Sequence, residues 1–176
     1  SDEERERIGN LVCKGAEAVG YKGLATFEFL RDKFGEFYFL EVNPRVQVEH
    51  TITEMITGYN LVELGIRVAQ GEPLPITQND IVLNGHSIQC RINAENSTNF
   101  VPSPGRLWDC HFPSGYGIRV DSHAHIGYDM PRCFDSLLAK IIVWGRTRKE
   151  AIRRMRSALN ETRLEGVDTL IPLHLR

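Results

Sequence analysis

No apolar run in the sequence is long enough to span a bilayer. The longest, Leu137-Leu138-Ala139 and Ile141-Ile142-Val143-Trp144, fall far short of the ~20 residues a spanning helix needs. An excess of one charge is lacking too: 21 basic residues meet 23 acidic ones, for a net charge of −2. A chain so balanced makes a poor general binder of nucleic acid or membrane surfaces. There is no C-x-x-C pair. Cys13, Cys90, Cys110 and Cys133 lie 20 or more residues apart, so neither a zinc site nor a redox motif is indicated. The expected state is four reduced thiols in a cytosolic-type compartment. No signal peptide is read at the start, where Ser1 to Arg7 is mostly charged. The first residue is not Met and a helical pattern begins at once, so part of a longer protein is expected. Repeats and low-complexity segments are absent.

What is present is a globular composition, 41% hydrophobic and 25% charged. That excludes a disordered tail, a collagen-like fibre and a coiled-coil rod. At ~150 residues per domain, 176 residues make one domain or two small ones. Ser1 with Glu4 reads as a capping box, and Ile8, Leu11, Val12 and Val19 give residues 2–19 an apolar helical stripe stopped by Gly20. Two strand-like runs follow, 25–30 and 37–42, around the turn signal Asp32-Lys33-Phe34-Gly35, which predicts a β-hairpin. Residues 50–57 read as a short helix ending at Gly58. Asn60 with Glu63 opens another, ended by Gly71. After Pro75 the texture changes to short strands at 86–93, 106–112, 117–122 and 135–144, separated by Gly and Pro. Thr147 with Glu150 then caps a helix near 148–160 with the stripe Ala151, Ile152, Met155 and Leu159. Its Arg148, Lys149, Arg153, Arg154 and Arg156 are read as a solvated face. The fold class is therefore α+β, divided into residues 1–82 and a β-rich part, 83–176.

The hairpin carries the chemistry. Folded symmetrically about Phe34 and Gly35, it sets Glu28 directly opposite Glu41, where like charges are destabilising. A divalent cation such as Mg²⁺ or Mn²⁺ bridging the carboxylates would give that placement a reason, with Asn43 adding an amide oxygen from the same face. A three-residue loop ending in Gly35 would instead slip the pairing by one and turn the carboxylates to opposite faces. The run continues with Glu41, Asn43, Arg45, Gln47 and Glu49 on one parity and Val42, Val46 and Val48 on the other. Pro44 makes it an edge or an irregular extension. An arginine fork beside a carboxylate that takes a proton is one way to build an anion-activating site. An ordinary solvent face has the same pattern.

Glu41-Val42-Asn43-Pro44-Arg45-Val46-Gln47-Val48-Glu49-His50, Thr53-Glu54-Met55, Thr57-Gly58, Cys90-Arg91-Ile92-Asn93-Ala94-Glu95 and Pro102-Ser103-Pro104-Gly105 together resemble the biotin carboxylase component of biotin-dependent carboxylases. The resemblance runs from Gly23 to Thr169. It implies the C-terminal section of an ATP-grasp domain (hairpin plus helices), followed by the small β-rich C-terminal domain of that family. Glu28 and Glu41 match the carboxylates that hold magnesium against ATP phosphates, and Asn43 matches a ligand of the second metal. Arg45, with Gln47 and the Val48 N–H, matches the grip on bicarbonate. Glu49 matches the base that deprotonates it, and Arg91 the arginine that stabilises the biotin enolate. The implied reaction turns bicarbonate and ATP into carboxyphosphate, which carboxylates biotin on a biotin carboxyl carrier protein or domain. A carboxyltransferase component and a homodimer are the implied partners, with a cytoplasmic or mitochondrial-matrix location. The final acceptor is chosen by the carboxyltransferase: acetyl-CoA (toward fatty acid biosynthesis), propionyl-CoA, pyruvate or urea.

Within these residues there is no Gly-rich phosphate loop, and Gly115-Tyr116-Gly117 reads as a turn. The chain is thus expected to be the C-terminal part of such an enzyme, inactive alone. Two competitors stand beside this reading. Another ATP-grasp carbon–nitrogen ligase would share Glu28, Glu41 and Asn43 but not the runs at 47–50 and 90–95. A non-catalytic dimerisation fragment would use only the β-rich part. Among lesser candidates, His123 and His125 are read as a surface pair, and His50 as a local cap. Arg91 paired with Glu95 is the bland alternative for that arginine, and Asp135 and Lys140 are candidates for a subunit contact.

Overall fold

The computed structural model describes the backbone of residues 1–176 and every side chain except that of Asp2. Along the chain run α1 (Asp2–Ala18), β1 (Thr26–Arg31), β2 (Phe37–Asn43), α2 (His50–Thr57), α3 (Leu61–Ala69), β3 (His86–Asn93), β4 (Asp109–His111), β5 (Ile118–Ser122), β6 (Leu137–Gly145), α4 (Arg148–Glu161), β7 (Arg163–Glu165) and α5 (Ile171–His174). The mixture of helix and sheet is the α+β class read from the sequence. The chain divides into two units, Ser1–His50 with Tyr59–Ile81, and Thr51–Gly58 with Val82–Arg176. The helix α2 therefore groups with the β-rich unit, although its sequence neighbours on both sides do not.

In the first unit the capping box on α1 is reciprocal: Ser1 Oγ accepts from the Glu4 N–H at 3.2 Å, and the Glu4 carboxylate accepts from the Ser1 amine. The hairpin turn is held by Asp32, whose Oδ1 accepts from the Phe34 and Glu36 N–H groups at 2.8 and 2.9 Å. The Glu36 N–H is the main reason that carboxyl sits below its ordinary value. Gly35, at φ 90°, supplies the left-handed residue that closes a three-residue loop. Near the turn Phe29 faces Phe39, which is the slipped register. A bulge then leaves Leu40 unpaired, and beyond it Glu28 faces Glu41 and Thr26 faces Asn43. The turn follows one alternative from the sequence and the open end follows the other.

The second unit holds the buried core. Its sheet runs β3-β6-β5, antiparallel throughout. Ile92, Leu138, Ile141 and Val143 join Ala151, Met155, Ala158 and Leu159 of α4 in one buried cluster. Ile152, expected in the stripe, is 45% exposed, and Ala158 takes its place. Thr147 caps α4 by accepting from the Glu150 N–H, while Glu150 reaches the Arg146 N–H rather than closing the box on Thr147. The strand expected over 106–112 shrinks to Asp109–His111. The Leu107 N–H bonds to the Tyr128 carbonyl, and the segment turns to β7 only from Trp108, whose N–H bonds to the Glu165 carbonyl. His123 and His125 lie past the end of β5, and their rings meet the edge of Tyr128 at centroid distances of 5.0 and 5.8 Å. Gly115 and Gly117 form the expected turn, both at positive φ. All four cysteines are free thiols, and burial pushes the Cys90 thiol up to about 11.

On the other face of the sheet, side chains form cross-strand rows. Gln89, Ile142 and Arg119 make one row, and Arg91, Lys140 and Asp121 the next. Burial pushes the Asp121 carboxyl up, but Arg119 at 2.8 and 2.9 Å and Lys140 at 3.3 Å outweigh it and hold the group below its ordinary value.

Two outcomes follow. Ile141→Ala should lower the unfolding free energy by about 2–5 kcal/mol, whereas Phe34→Ala at the 80%-exposed hairpin tip should change it by under ~0.5 kcal/mol. Denaturant titration followed by tryptophan fluorescence reads the Ile141 change, since Trp108 and Trp144 lie in the second unit with it, and far-ultraviolet circular dichroism reads the Phe34 change in the first. Because the Asp121 pKa is depressed on folding, its contribution is fully present above the unfolded carboxylate value of ~3.9 and is lost as pH falls through the lower folded value. Asp121→Asn should therefore flatten the acid limb of the stability curve below about pH 4, which thermal melts across that range would measure.

Candidate active site

At the open end of the hairpin three side chains meet. The Asn43 amide nitrogen donates to Glu28 Oε1 and to Glu41 Oε1, at 3.0 Å each. Its oxygen accepts from Arg45 Nη2 at 3.2 Å. Two directly opposed carboxylates repel, and here the amide hydrogens relieve that repulsion. A divalent cation would do the same with more charge. The donor set, two carboxylates and an amide, is the hard-oxygen chemistry such ions take. To offer its oxygen with them, Asn43 must turn its amide over and release Arg45. The residues thus fit a cation. Among the described residues no cluster of three or more His, Cys, Asp or Glu forms a competing metal centre.

The strand ends at Asn43, because Pro44 has no N–H to continue the ladder and the Arg45 N–H turns back to the Asn43 carbonyl at 2.8 Å. The parity expected through Glu49 is lost there. Val46, assigned to the packed face, is 45% exposed. Arg45 also donates to the Val46 carbonyl at 3.4 Å. The Gln47 carbonyl accepts from the His50 N–H and from His50 Nδ1, the latter at 2.7 Å, so His50 acts as the local cap expected of it. Gln47 Oε1 is different. Among the described residues it is the buried side-chain polar atom with no hydrogen-bond partner. Such an orphan acceptor calls for a donor. Glu28, Glu41, Asn43 and Arg45 are linked directly, and Gln47, Val48 and Glu49 follow within four residues of Arg45 in the same unit.

Arg91 lies in the second unit, on β3, cross-strand from Lys140. The pairing with Glu95 is not formed: Glu95 accepts instead from Ser136 Oγ and from Asn93. The Arg91 carbonyl accepts from His174 Nε2 at 2.9 Å. Sequence reasoning missed the polar contacts of α2. Thr51 Oγ1 donates to Gln89 Oε1 at 2.5 Å, and Arg119 Nη1 donates to Glu54 Oε2 at 2.6 Å. Glu54 stood inside a quoted motif, but its partner lies 65 positions away and no local pattern points to it.

Comparison with known proteins gives these residues a family. Residues 89–176 match the biotin carboxylase C-terminal domain, and residues 1–77 match the ATP-binding domain of the carbamoyl-phosphate synthase L chain. A biotin carboxylase of Haemophilus influenzae is 49% identical over 174 residues, covering 99% of this chain and 39% of that protein. A biotin carboxylase of Pseudomonas aeruginosa is 50% identical over 173 residues, covering 98% of this chain and 38% of that protein. Among solved structures, the biotin carboxylase domain dimer of Hydrogenobacter thermophilus 2-oxoglutarate carboxylase, in complex with MgADP, ADP and bicarbonate, superposes with a TM-score of 0.97 at 47% identity. That match covers 99% of this chain and 39% of the other. The chain spans about two fifths of the length of these relatives.

The hairpin geometry sets two effects of opposite sign. Glu28→Gln removes the cross-strand repulsion and should leave the metal-free chain as stable or up to ~1 kcal/mol more stable. The same change should abolish the stabilisation that Mn²⁺ gives the unsubstituted chain. Melting curves with and without Mn²⁺ check both.

Proposed function

Because the chain belongs to the biotin carboxylase family, we propose that it forms the bicarbonate-activating and biotin-facing part of such an enzyme. The reaction is ATP- and bicarbonate-dependent carboxylation of carrier-bound biotin through carboxyphosphate. The observation that carries this reading is the joined set Glu28, Glu41, Asn43 and Arg45, continued by the orphan acceptor of Gln47. Residues 1–82 serve as the C-terminal section of the ATP-grasp domain, and 83–176 as the C-terminal domain.

Glu28, Glu41 and Asn43 would hold Mg²⁺ or Mn²⁺, and the cation would supply charge neutralisation for the ATP phosphates. Arg45, released from Asn43, grips the bicarbonate oxygens with its planar fork. Gln47 helps to hold the anion through its side-chain amide, and the single bicarbonate O–H is left to Glu49. The Val48 N–H donates to another oxygen. Glu49 takes the proton, and the freed oxygen attacks the γ-phosphorus of ATP with ADP leaving. Carboxyphosphate then breaks into CO₂ and inorganic phosphate, the phosphate takes the proton of the ureido N–H, and the resulting enolate attacks CO₂ through that nitrogen to give carboxybiotin. The Arg91 guanidinium stabilises the oxygen of the biotin enolate.

The partners are a biotin carboxyl carrier protein or domain, a carboxyltransferase component and a second copy of the enzyme, as in the Hydrogenobacter relative described as a domain dimer. Among the described residues no helix is long and apolar enough to cross a membrane. The free cysteines support a reducing location, the cytoplasm.

In the full-length enzyme carrying this chain, Arg91→Ala should slow biotin carboxylation ~10²–10³-fold while sparing most bicarbonate-dependent ATP cleavage. Arg45→Ala should impair both. Steady-state assays of the two reactions decide it, and unchanged biotin carboxylation in Arg91→Ala would remove Arg91 from the mechanism.

A further inference from the structure

Helix α2 is fastened to the second unit by polar contacts at two widely separated strands. Thr51, fully buried, reaches Gln89 on β3, and Glu54, 9% exposed, reaches Arg119 on β5. These strands flank β6, and Gln89, Ile142 and Arg119 form a single cross-strand row. Ile142 in the middle of that row is fully buried. One turn of α2 thus spans the width of the three-stranded sheet, with a hydroxyl at one end and a carboxylate at the other. A third tie lies near its C-terminal end, where the Ile56 carbonyl accepts from the Asn84 N–H at 2.8 Å.

The row gripped by α2 is the immediate neighbour of the row Arg91, Lys140 and Asp121 on the same face. Arg119 belongs to both arrangements, since it donates to Glu54 and, through two nitrogens, to Asp121, which also meets Lys140. At its other end α2 begins at His50, the residue after Glu49. Only His50 separates the Thr51 anchor from the base assigned to bicarbonate. A helix held for packing alone would bury apolar side chains against the sheet. This one places a buried carboxylate and a buried hydroxyl there, each tied to a specific polar partner. Such contacts fix register and direction, which apolar contact does less sharply.

We propose that Thr51 and Glu54 are positioning residues. By fixing the first turn of α2, they hold the segment Gln47, Val48 and Glu49 that leads directly into it. The inference rests on the functional reading above and adds residues to which that reading gives no part. The pin acts on the segment through the backbone, so its loss should be felt first by bicarbonate. Nucleotide binding through Glu28 and Glu41 should be left largely intact, because the hairpin's own ladder fixes those groups.

The test uses the full-length enzyme and biotin-independent, bicarbonate-dependent ATP cleavage. Glu54→Gln and Thr51→Val should each raise the KM for bicarbonate ~10-fold or more, as a misplacement of about an ångström typically does, with the KM for MgATP within about twofold. Thr51→Ser, which keeps the hydroxyl, should restore wild-type bicarbonate kinetics. If Glu54 acts through Arg119, then Glu54→Gln added to Arg119→Gln should cost little more than Arg119→Gln alone. Should Glu54→Gln fail to fold, the Thr51→Val and Thr51→Ser pair carries the test. Unchanged bicarbonate KM values, or bicarbonate and MgATP constants that move together, would overturn the positioning role. A Glu49→Gln control separates the two levels. Full activity in that variant overturns the functional reading itself, whereas an inactive Glu49→Gln beside unaffected Thr51 and Glu54 variants overturns only the pin.

Discussion

Two carboxylates facing each other across a hairpin are the constraint on which the first unit turns. Glu28 and Glu41 reach that position only because one extra residue, Leu40, is left out of the ladder. The three-residue loop favoured by Asp32 and Gly35 puts the strands one residue out of step, and without the bulge one carboxylate would leave the shared face. Turn chemistry and site chemistry ask for different registers, and the bulge reconciles them. Bulges often serve to re-aim a side chain beside a functional site. Asn43 then becomes central: it quiets the repulsion with its hydrogens, and its oxygen tethers Arg45. The amide orientation seen here, nitrogen toward both carboxylates and oxygen toward Arg45, is the reverse of the one a cation between the carboxylates would require.

The two units differ in what holds them. In the second, the apolar sides of β3 and β6 close on α4 with the central side chains fully buried. In the first, no described residue reaches that degree of burial. Leu11, Val12, Phe27, Phe29, Phe39 and Val42 instead line an open cavity of about 530 Å³. Order there comes from directional bonds: the capping box of Ser1 and Glu4, the Arg31–Glu4 pair, the Asp32 turn and the hairpin ladder. Exposed ion pairs of this kind each contribute little to stability, roughly 0–1 kcal/mol.

Much of this is legible in the sequence because it is local. Helix caps, glycine stops and the hairpin lie within a few residues of their causes, and their ends match expectation to a residue or two. The direct opposition of Glu28 and Glu41 is among the expectations, but the chain reaches it by another route. Both registers are visible in the sequence, and nothing in the residues says that they occur together. Differences cluster where partners are distant. The strand expected over 106–112 is cut short at its start because Tyr128, outside the β7 ladder, takes the Leu107 N–H. The alternation from Glu41 to Glu49 stops meaning anything once Pro44 ends the ladder. Arg91 lies on its expected strand, yet its neighbours Lys140 and Asp121 come from other strands.

The same reasoning explains why the sequence hides the attachment of α2. Along the chain, residues 41–58 form one continuous motif, and a motif invites the assumption that it folds as one piece. The fold divides it: residues up to His50 belong with the hairpin, and Thr51–Gly58 belong with the sheet of the second unit. The division falls between a histidine bonded back to Gln47 and a threonine bonded forward to Gln89. A sequence motif records which residues are needed together, and that need is not always met within one compact body. Here Gln47 and His50 bond to each other on one side of the division, while Thr51 and Glu54 bond to strands 38 and 65 positions further along the chain, partners of which a locally read pattern carries no sign.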